Sequence, residues 1–257
     1  MELQAQEGRL STAAGPRVLV ATAVPAERDA AAGAFAGPVG EVRVPGAVLG
    51  RLSPGSAAGP VTADLLAAGV GPALAAASAA SALTAAALDG RPYDLVVCAG
   101  IAGGFLPHAP VGSLVVADEI TAADLGAETA EGFVPVTGLG FGTVTHRPPA
   151  ALVRRAAAAT GARTGAVLTV STATGTAARA EELRLRHPTA LAEAMEGFGV
   201  AEAAAAHGVP VLELRAVSNP VGPRDRAAWR IGEALAALTE AFGKLAPVLE
   251  SWNRHDQ

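Results

Sequence analysis

The feature that most constrains the fold of this chain is the alternation of short apolar runs with longer helix-like stretches. Apolar runs of strand length occur at residues 17–21, 93–100, 111–120, 163–170 and 209–217. Helix-like segments separate them, including an Ala-rich stretch at 73–88 and an amphipathic one at 227–249. Such alternation favours a mainly parallel sheet covered by helices. We predict an α/β fold: a single-domain three-layer sandwich, residues 17–252, with a central mixed, mainly parallel sheet.

Composition and charge exclude several classes of protein. The net charge of −5 lacks the basic excess of a nucleic-acid-binding surface. Cys98 is the sole cysteine, which fits a reducing cytoplasm and excludes an internal disulfide. Residues 1–16 have no apolar core typical of a signal peptide and are predicted to be a disordered extension. Since residues 72–88 are too weakly apolar for a membrane span, we expect a cytoplasmic protein without membrane contact.

Neither a metal site nor a cofactor motif is indicated. The five histidines lie far apart in the sequence and form no HExxH spacing. The glycine-rich residues 100–104 follow an apolar run but lack the GxGxxG spacing of a dinucleotide loop. We interpret these residues as a loop that approaches a base or sugar closely, and we expect no metal and no cofactor.

Four segments carry chemistry-bearing residues: 23–27 (AVPAE), 99–105 (AGIAGGF), 193–197 (EAMEG) and 215–219 (RAVSN). In order and spacing they resemble the family of methylthioadenosine/S-adenosylhomocysteine nucleosidases and purine nucleoside phosphorylases. Residues 221–225 (VGPRD) and Trp229 resemble the futalosine hydrolases within that family. The resemblance covers residues 17–249. It implies a nucleoside phosphorylase-like fold, release of hypoxanthine from futalosine in the alternative menaquinone route, and a homo-oligomer, with a dimer favoured.

Two glutamates match the acids that such a reaction needs. Cleavage of an N-glycosidic bond builds positive charge on the ribose, which carboxylates stabilise. The resemblance implies that Glu27 activates water, that Glu196 binds the ribose hydroxyls and that Met195 packs on the sugar. By position alone, Glu27 is a solvated residue in a first helical turn. The neighbouring Glu193 and Glu202 are expected at the surface.

The pair Ser218–Asn219 carries information on the base. The resemblance implies that Ile101, Ala102 and Gly103 lie against the substrate beside this pair. Where adenine-releasing members of the family have Asp, this chain has Asn219, whose amide can donate hydrogen bonds. A 6-oxopurine presents acceptors at N7 and O6, so the amide suits hypoxanthine. The alternative is that Asn219, before a proline, only forms a turn.

Water is favoured over phosphate as the nucleophile. Cys98 stands where the hexameric phosphorylases of the family carry Arg, and Arg28 is expected to face away from the site. Arg224 and Trp229 are candidates for binding the carboxyphenyl end of futalosine. Their alternative is a surface pair of Arg224 with Asp225 and a core position for Trp229.

Three other functions remain open from the sequence. Two are enzymatic: a methylthioadenosine/S-adenosylhomocysteine-type nucleosidase and an inosine-type purine nucleoside phosphorylase. The third is a nucleoside-binding protein on the same fold, in which the acids are present but not positioned for catalysis.

Overall fold

A computed structural model describes residues 15–35, 39–52 and 62–252. The extension predicted for residues 1–16 lies, apart from its last two residues, outside the described part. The strands of the described part are β1 (Arg17–Thr22), β2 (Val39–Val44), β3 (Ala47–Leu52), β4 (Thr62–Ala67), β5 (Leu95–Gly104), β6 (Leu114–Ala122), β7 (Gly126–Thr129), β8 (Gly132–Pro135), β9 (Thr145–His146), β10 (Arg163–Thr169), β11 (Ala190–Ala194) and β12 (Val211–Pro220). Its helices are α1 (Pro25–Ala32), α2 (Pro72–Leu88), α3 (Ala150–Thr160), α4 (Ala177–Arg186), α5 (Gly197–Ala206) and α6 (Ile231–Glu250).

One mixed sheet organises the molecule. It has 10 strands in the order β11-β10-β6-β12-β5-β1-β4-β3-β2, with β9 paired to β6. The pairings of β1 with β4 and β5, of β12 with β5, and of β10 with β6 and β11 are parallel. Strand β11 also pairs with β5 in the antiparallel sense, so the sheet closes on itself at that end. This closure brings residues of β11 and β12 to either side of β5.

Helices cover both faces of the sheet. Helices α2 and α5 pack over one apolar core, and α1, α3 and α6 pack over the other. Both cores consist mainly of Ala, Val and Leu, as the low aromatic content requires. The predicted α/β sandwich is therefore confirmed. In the described part of the chain, every helix is too short or too polar to cross a membrane.

Two segments differ from the expectation. Residues 100–104 lie inside β5 and not in a loop. Glycine is required there for close packing, because a Cβ on Gly104 would lie 2.0 Å from the Ala109 carbonyl oxygen. Residues 190–194 (ALAEA) form β11 although their Ala-rich sequence suits a helix or turn, because pairing on both sides outweighs weak local propensity.

A buried carboxylate forms hydrogen bonds that connect strands near the amino terminus. Asp64 of β4 accepts hydrogen bonds from Arg17 of β1 (2.8 Å), Arg51 of β3 (2.7 Å) and the Tyr93 hydroxyl (2.6 Å). Burial would raise the pKa of Asp64, but the hydrogen bonds from Arg51, Tyr93 and Arg17 outweigh it, and the pKa lies below its usual value. The ionised carboxylate therefore stabilises the association of β1, β3 and β4.

We expect Asp64→Asn to lower the free energy of unfolding at pH 7 by about 2 kcal/mol, the scale of hydrogen bonds to charged groups. Because the folded pKa lies below the unfolded one, the stabilisation is present above the unfolded pKa and is lost as the pH falls through the folded one. The difference from wild type should therefore shrink below about pH 4. Urea unfolding at several pH values measures this effect. Asp29→Asn, at an exposed site, is the control, and equal stability of D64N and wild type at pH 7 would contradict the prediction.

Candidate active site

A cavity of about 720 Å³ opens beyond the carboxyl ends of β1, β5, β10 and β12. Ligands of α/β sheets bind at such strand ends. All ten residues that the sequence singled out lie on its walls: Glu27, Ile101, Ala102, Gly103, Met195, Glu196, Ser218, Asn219, Arg224 and Trp229. Strand topology thus brings residues from distant parts of the chain to one site.

Glu27 is held at the start of α1 by backbone donors. Its Oε2 accepts from the N–H groups of Ala23 (2.9 Å) and Val24 (3.3 Å), and its Oε1 accepts from Ile101 N–H (2.8 Å). The side chain is 3% exposed and faces the cavity, so it is not the solvated residue that its position alone suggested. Gly100 allows this approach, because a Cβ there would lie 2.6 Å from Glu27 Oε1.

Glu196 is the residue at which α5 begins, and it lines the cavity. It accepts hydrogen bonds from Gly71 N–H (3.2 Å), Met195 N–H (3.3 Å) and Arg215 Nη2 (3.4 Å). Gly71 has φ +91, a conformation that favours glycine, in the turn between β4 and α2. This turn therefore holds the Glu196 carboxylate from one side, while the N–H of the adjacent Met195 binds it from within the same segment.

A buried arginine behind the two acids was not among the residues singled out from the sequence. Arg215 is 1% exposed. Its Nε donates to Glu213 Oε1 (2.8 Å), and its Nη2 donates to Cys98 Sγ (3.3 Å) and to Glu196. The sequence carried the signal, since Glu213 and Arg215 are charged residues within a run of otherwise apolar strand residues (VLELRAV). Buried charges of this kind are paired, and they mark a site that the apolar core cannot explain.

Gly197 makes room for the acid that orients this arginine. A Cβ on Gly197 would lie 2.3 Å from Glu213 Oε2, an oxygen that has no hydrogen-bond partner among the described residues. Burial raises the pKa of Glu213, although Arg215 opposes the shift. Arg215 Nη1 also approaches Glu27, because a Cβ on Gly100 would lie 2.8 Å from this nitrogen and 2.6 Å from Glu27 Oε1. One cation thus lies behind both Glu27 and Glu196.

The amide of Asn219 lies in the extended end of β12 and not in a turn. Its Oδ1 accepts from Ser218 Oγ (2.8 Å), and its Nδ2 donates one hydrogen to the Pro220 carbonyl (3.0 Å). Ser218 Oγ also lies 3.3 Å from the Ala102 carbonyl oxygen. The orientation of the amide leaves its second Nδ2 hydrogen for a ligand in the cavity.

The surface position expected for Glu193 is wrong. Glu193 is 8% exposed and lies on the cavity wall, where it accepts from Thr174 N–H (2.8 Å) and Thr174 Oγ1 (2.5 Å). Burial raises the pKa of Glu193, while the two bonds from Thr174 act in the opposite direction. The error came from the usual exposure of glutamate, because β11 turns this side chain inward. Glu202 is exposed, as expected, and bonds His146.

An aromatic and two arginines form the outer part of the cavity. The guanidinium carbons of Arg224 and Arg226 lie 5.4 and 5.8 Å from the Trp229 ring centroid. Among the described contacts Arg224 forms no pair with Asp225, whose carboxylate accepts from Ala227 N–H. Arg224 and Arg226 are the basic residues among the described residues that line the cavity.

The inner part of the cavity carries no basic side chain on its described walls. Arg28 pairs with Asp29 and lies outside the cavity, as expected, and Cys98 is buried within β5. Across residues 15–35, 39–52 and 62–252, no three His, Cys, Asp or Glu side chains come together as they would around a metal ion.

Residues 18–251 match the phosphorylase superfamily. The chain is 78% identical over 240 residues to the futalosine hydrolase of Streptomyces coelicolor. The alignment covers 93% of this chain and 99% of that protein. It matches the structure of a futalosine hydrolase mutant of Helicobacter pylori with a TM-score of 0.76 at 16% identity, over 90% of this chain and 99% of the other. The methylthioadenosine/S-adenosylhomocysteine nucleosidase of Neisseria meningitidis, in complex with methylthio-immucillin-A, matches with a TM-score of 0.74 at 19% identity, over 92% and 100% of the two chains.

The fold and the match over nearly the whole chain define the class: this is a protein of the phosphorylase superfamily. Within that superfamily the chain belongs to the futalosine hydrolase family. The resemblance drawn from the four sequence segments and the nucleoside phosphorylase-like fold are thereby confirmed.

Proposed function

We propose that this chain hydrolyses the N-glycosidic bond of futalosine and releases hypoxanthine. The observation that carries the proposal is the meeting of Glu27, Glu196 and Asn219 in one cavity. The relative from Streptomyces coelicolor, at 78% identity, is itself a futalosine hydrolase. The three side chains supply the functions that the reaction needs: a base for water, an acceptor for the sugar and a donor for the purine.

Glu27 is the general base. Its carboxylate takes a proton from water, and the water oxygen bonds to C1′ of the ribose while the C1′–N9 bond breaks and its electron pair moves to the purine. Positive charge develops on the sugar, close to two carboxylates that the cavity provides. Glu196 accepts hydrogen bonds from the vicinal ribose hydroxyls, and Met195 packs on the sugar.

Asn219 stabilises the departing base. Its free Nδ2 hydrogen donates to the N7–O6 edge of hypoxanthine, where negative charge collects as the bond breaks. Ser218 fixes the amide in this orientation by donating to Oδ1. The backbone of Ile101, Ala102 and Gly103 forms the wall beside it.

The inner cavity favours water over phosphate. A phosphate nucleophile needs a cradle of cationic or N–H donors, and the backbone N–H groups of Ala23, Val24 and Ile101 are already bonded to Glu27. The arginines lie at the outer end beside Trp229, where Arg224 pairs with the carboxylate of the 5′ substituent and Trp229 stacks on its ring.

The proposal extends to the setting of the reaction. Because futalosine is the substrate, we place the reaction in the alternative menaquinone route, and a buried free Cys98 fits a cytoplasmic enzyme. We also propose a homo-oligomer, with a dimer favoured, because two apolar residues four positions apart are exposed. They are Val70 (54% exposed), which lines the cavity, and Leu74 (55% exposed), which lies in the first turn of α2.

Release of free base from three nucleosides, with and without phosphate, tests the proposal. We expect hypoxanthine from futalosine at the same rate in both conditions, with a kcat/KM at least 10-fold above that for inosine, which lacks the carboxyphenyl group, and above that for methylthioadenosine. The reason is that inosine leaves Arg224 and Trp229 without contacts.

Each alternative function has its own outcome in this experiment. Base release that requires phosphate would make the protein a phosphorylase. Methylthioadenosine cleaved as fast as futalosine would make it an adenosyl-type nucleosidase. Nucleoside binding without any base release would leave a binding protein.

A further inference from the structure

The outer end of the cavity carries two arginines that have no counterion. Arg224 and Arg226 both line the cavity, and no carboxylate of the described residues pairs with either of them. Asp225, between them in the sequence, accepts a hydrogen bond from Ala227 N–H (3.2 Å) instead. Two cations brought together without an acid repel each other, and an anion that joins them removes the repulsion. The arrangement therefore indicates a ligand that brings negative charge to this end of the cavity.

Both guanidinium groups lie over the same indole without stacking tightly on it. Their central carbons are 5.4 and 5.8 Å from the ring centroid of Trp229, whereas Arg17 on Tyr93 and Arg186 on Phe133 are each at 4.3 Å. The indole, which lines the cavity, thus keeps surface for another planar group. A ligand that contacts one indole and two cations at once is a carboxylate carried by an aromatic ring.

The backbone holds this group of side chains against the sheet. At the start of the segment, Val221 N–H donates to the Gly104 carbonyl of β5 (2.8 Å), and at its end Arg230 N–H donates to the Ser218 carbonyl of β12 (2.8 Å). A short 3₁₀ helix, Arg226–Ala228, lies between these two anchors. Since both ends of the segment are fixed, binding of a ligand requires little further ordering of the backbone.

We propose that Arg224, Arg226 and Trp229 form a subsite that binds free aromatic carboxylates, so that such acids compete with the substrate for the cavity. This role rests on the proposed function, which places the carboxyphenyl end of futalosine at Arg224 and Trp229. The additions to it are Arg226 as a second cation and a class of inhibitor. An aromatic ring on the indole and a carboxylate shared by the two guanidinium groups provide contacts for all three side chains.

The indole of the subsite itself reports binding. The chain has two tryptophans, and the other, Trp252, is 4% exposed and lies outside the cavity. In Trp252→Phe, indole fluorescence therefore reports on Trp229 alone. We expect benzoate to change this fluorescence and to bind about 10-fold or more tightly than benzamide, which lacks the charge, or cyclohexanecarboxylate, which lacks the aromatic ring. Benzamide that binds as tightly as benzoate would overturn the proposal, and so would inorganic phosphate that does so.

Two single variants assign the carboxylate to both arginines. Arg224→Gln and Arg226→Gln should each weaken benzoate binding by about 10-fold, the scale of one charge-assisted hydrogen bond, and should leave the weak binding of benzamide unchanged. The control is Arg230→Gln, because that exposed side chain pairs with Glu233 and lies outside the cavity. Wild-type affinity for benzoate in R226Q would overturn the assignment of a second cation.

Inhibition kinetics place the acid in the cavity. Benzoate should raise KM for futalosine in proportion to its concentration and leave kcat unchanged, since both ligands need the same subsite. A fall in kcat at saturating futalosine would put benzoate elsewhere and overturn the proposal. The fluorescence experiment contains no nucleoside, so it separates the two claims. Binding of benzoate by a protein that does not cleave futalosine would overturn only the proposed function, and cleavage of futalosine without benzoate binding would overturn only the subsite.

Discussion

Replacing Glu27 by glutamine is expected to lower kcat for futalosine hydrolysis by about 10²- to 10⁴-fold, the range for loss of a general base. The amide keeps the size of the carboxylate, and its Oε1 can still accept from Ala23 and Val24 N–H, but it cannot take a proton from water. The KM should change little, because the sugar and base contacts are made by Glu196 and Asn219. Steady-state release of hypoxanthine measures kcat and KM separately.

The loss of stability caused by Glu27→Gln is expected to be small, so it can be distinguished from the loss of catalytic rate. Glutamine places an N–H group against Ile101 N–H, so one of three backbone hydrogen bonds is lost, at about 1 kcal/mol. This should shift Tm by only a few degrees in a chain of this length. The exposed Glu181→Gln on α4 is the matched control. Activity of E27Q equal to wild type would assign the base to another residue.

The sequence predicted those parts of the fold that depend on local pattern. The apolar run of β1 and the long helices α2 and α6 were identified within a few residues, because hydrophobic period and length decide them. Strand β11 was missed because its alanines have weak strand propensity and its stability comes from two partners far away in the chain. The closure of the sheet onto β5 is set by those same distant pairings, which local sequence does not encode.

The sequence likewise predicted some residues of the candidate site and missed others. Glu27 and Asn219 were identified because each follows a predicted strand and matches a family segment, and Glu196 was identified from its family segment alone. Glu193 was placed at the surface, since a glutamate is usually exposed and nothing local shows that β11 turns it inward. Glu213 and Arg215 are tolerated inside the protein because they pair with each other, and Gly197 leaves room for the Glu213 carboxylate.

Arg215→Met is expected to lower the free energy of unfolding at pH 7 by about 3–5 kcal/mol, the cost of removing one partner of a buried ion pair. Glu213 is completely buried and Glu196 nearly so, and Arg215 is the cation that contacts both. By contrast, the arginines around Asp64 are partly exposed to water, so the loss of that network costs less. In this chain the change corresponds to a fall in Tm of roughly 10 °C, which scanning calorimetry measures.

The pH dependence and a double variant test whether the unpaired charge of Glu213 causes the loss of stability in R215M. Burial raises the pKa of Glu213, and loss of the guanidinium removes the interaction that opposes the shift. A carboxyl group with a raised folded pKa binds more protons when folded than when unfolded, so the R215M penalty should grow as the pH rises above the unfolded pKa of about 4.3. Glu213→Gln added to Arg215→Met removes the unpaired charge and should recover most of the lost stability.

Futalosine hydrolysis should be low in the double variant, because Glu196 lacks the Arg215 hydrogen bond that holds it at the sugar. Full recovery of both stability and activity would show that Arg215 only neutralises Glu213, and a single variant as stable as wild type would contradict the buried-pair account.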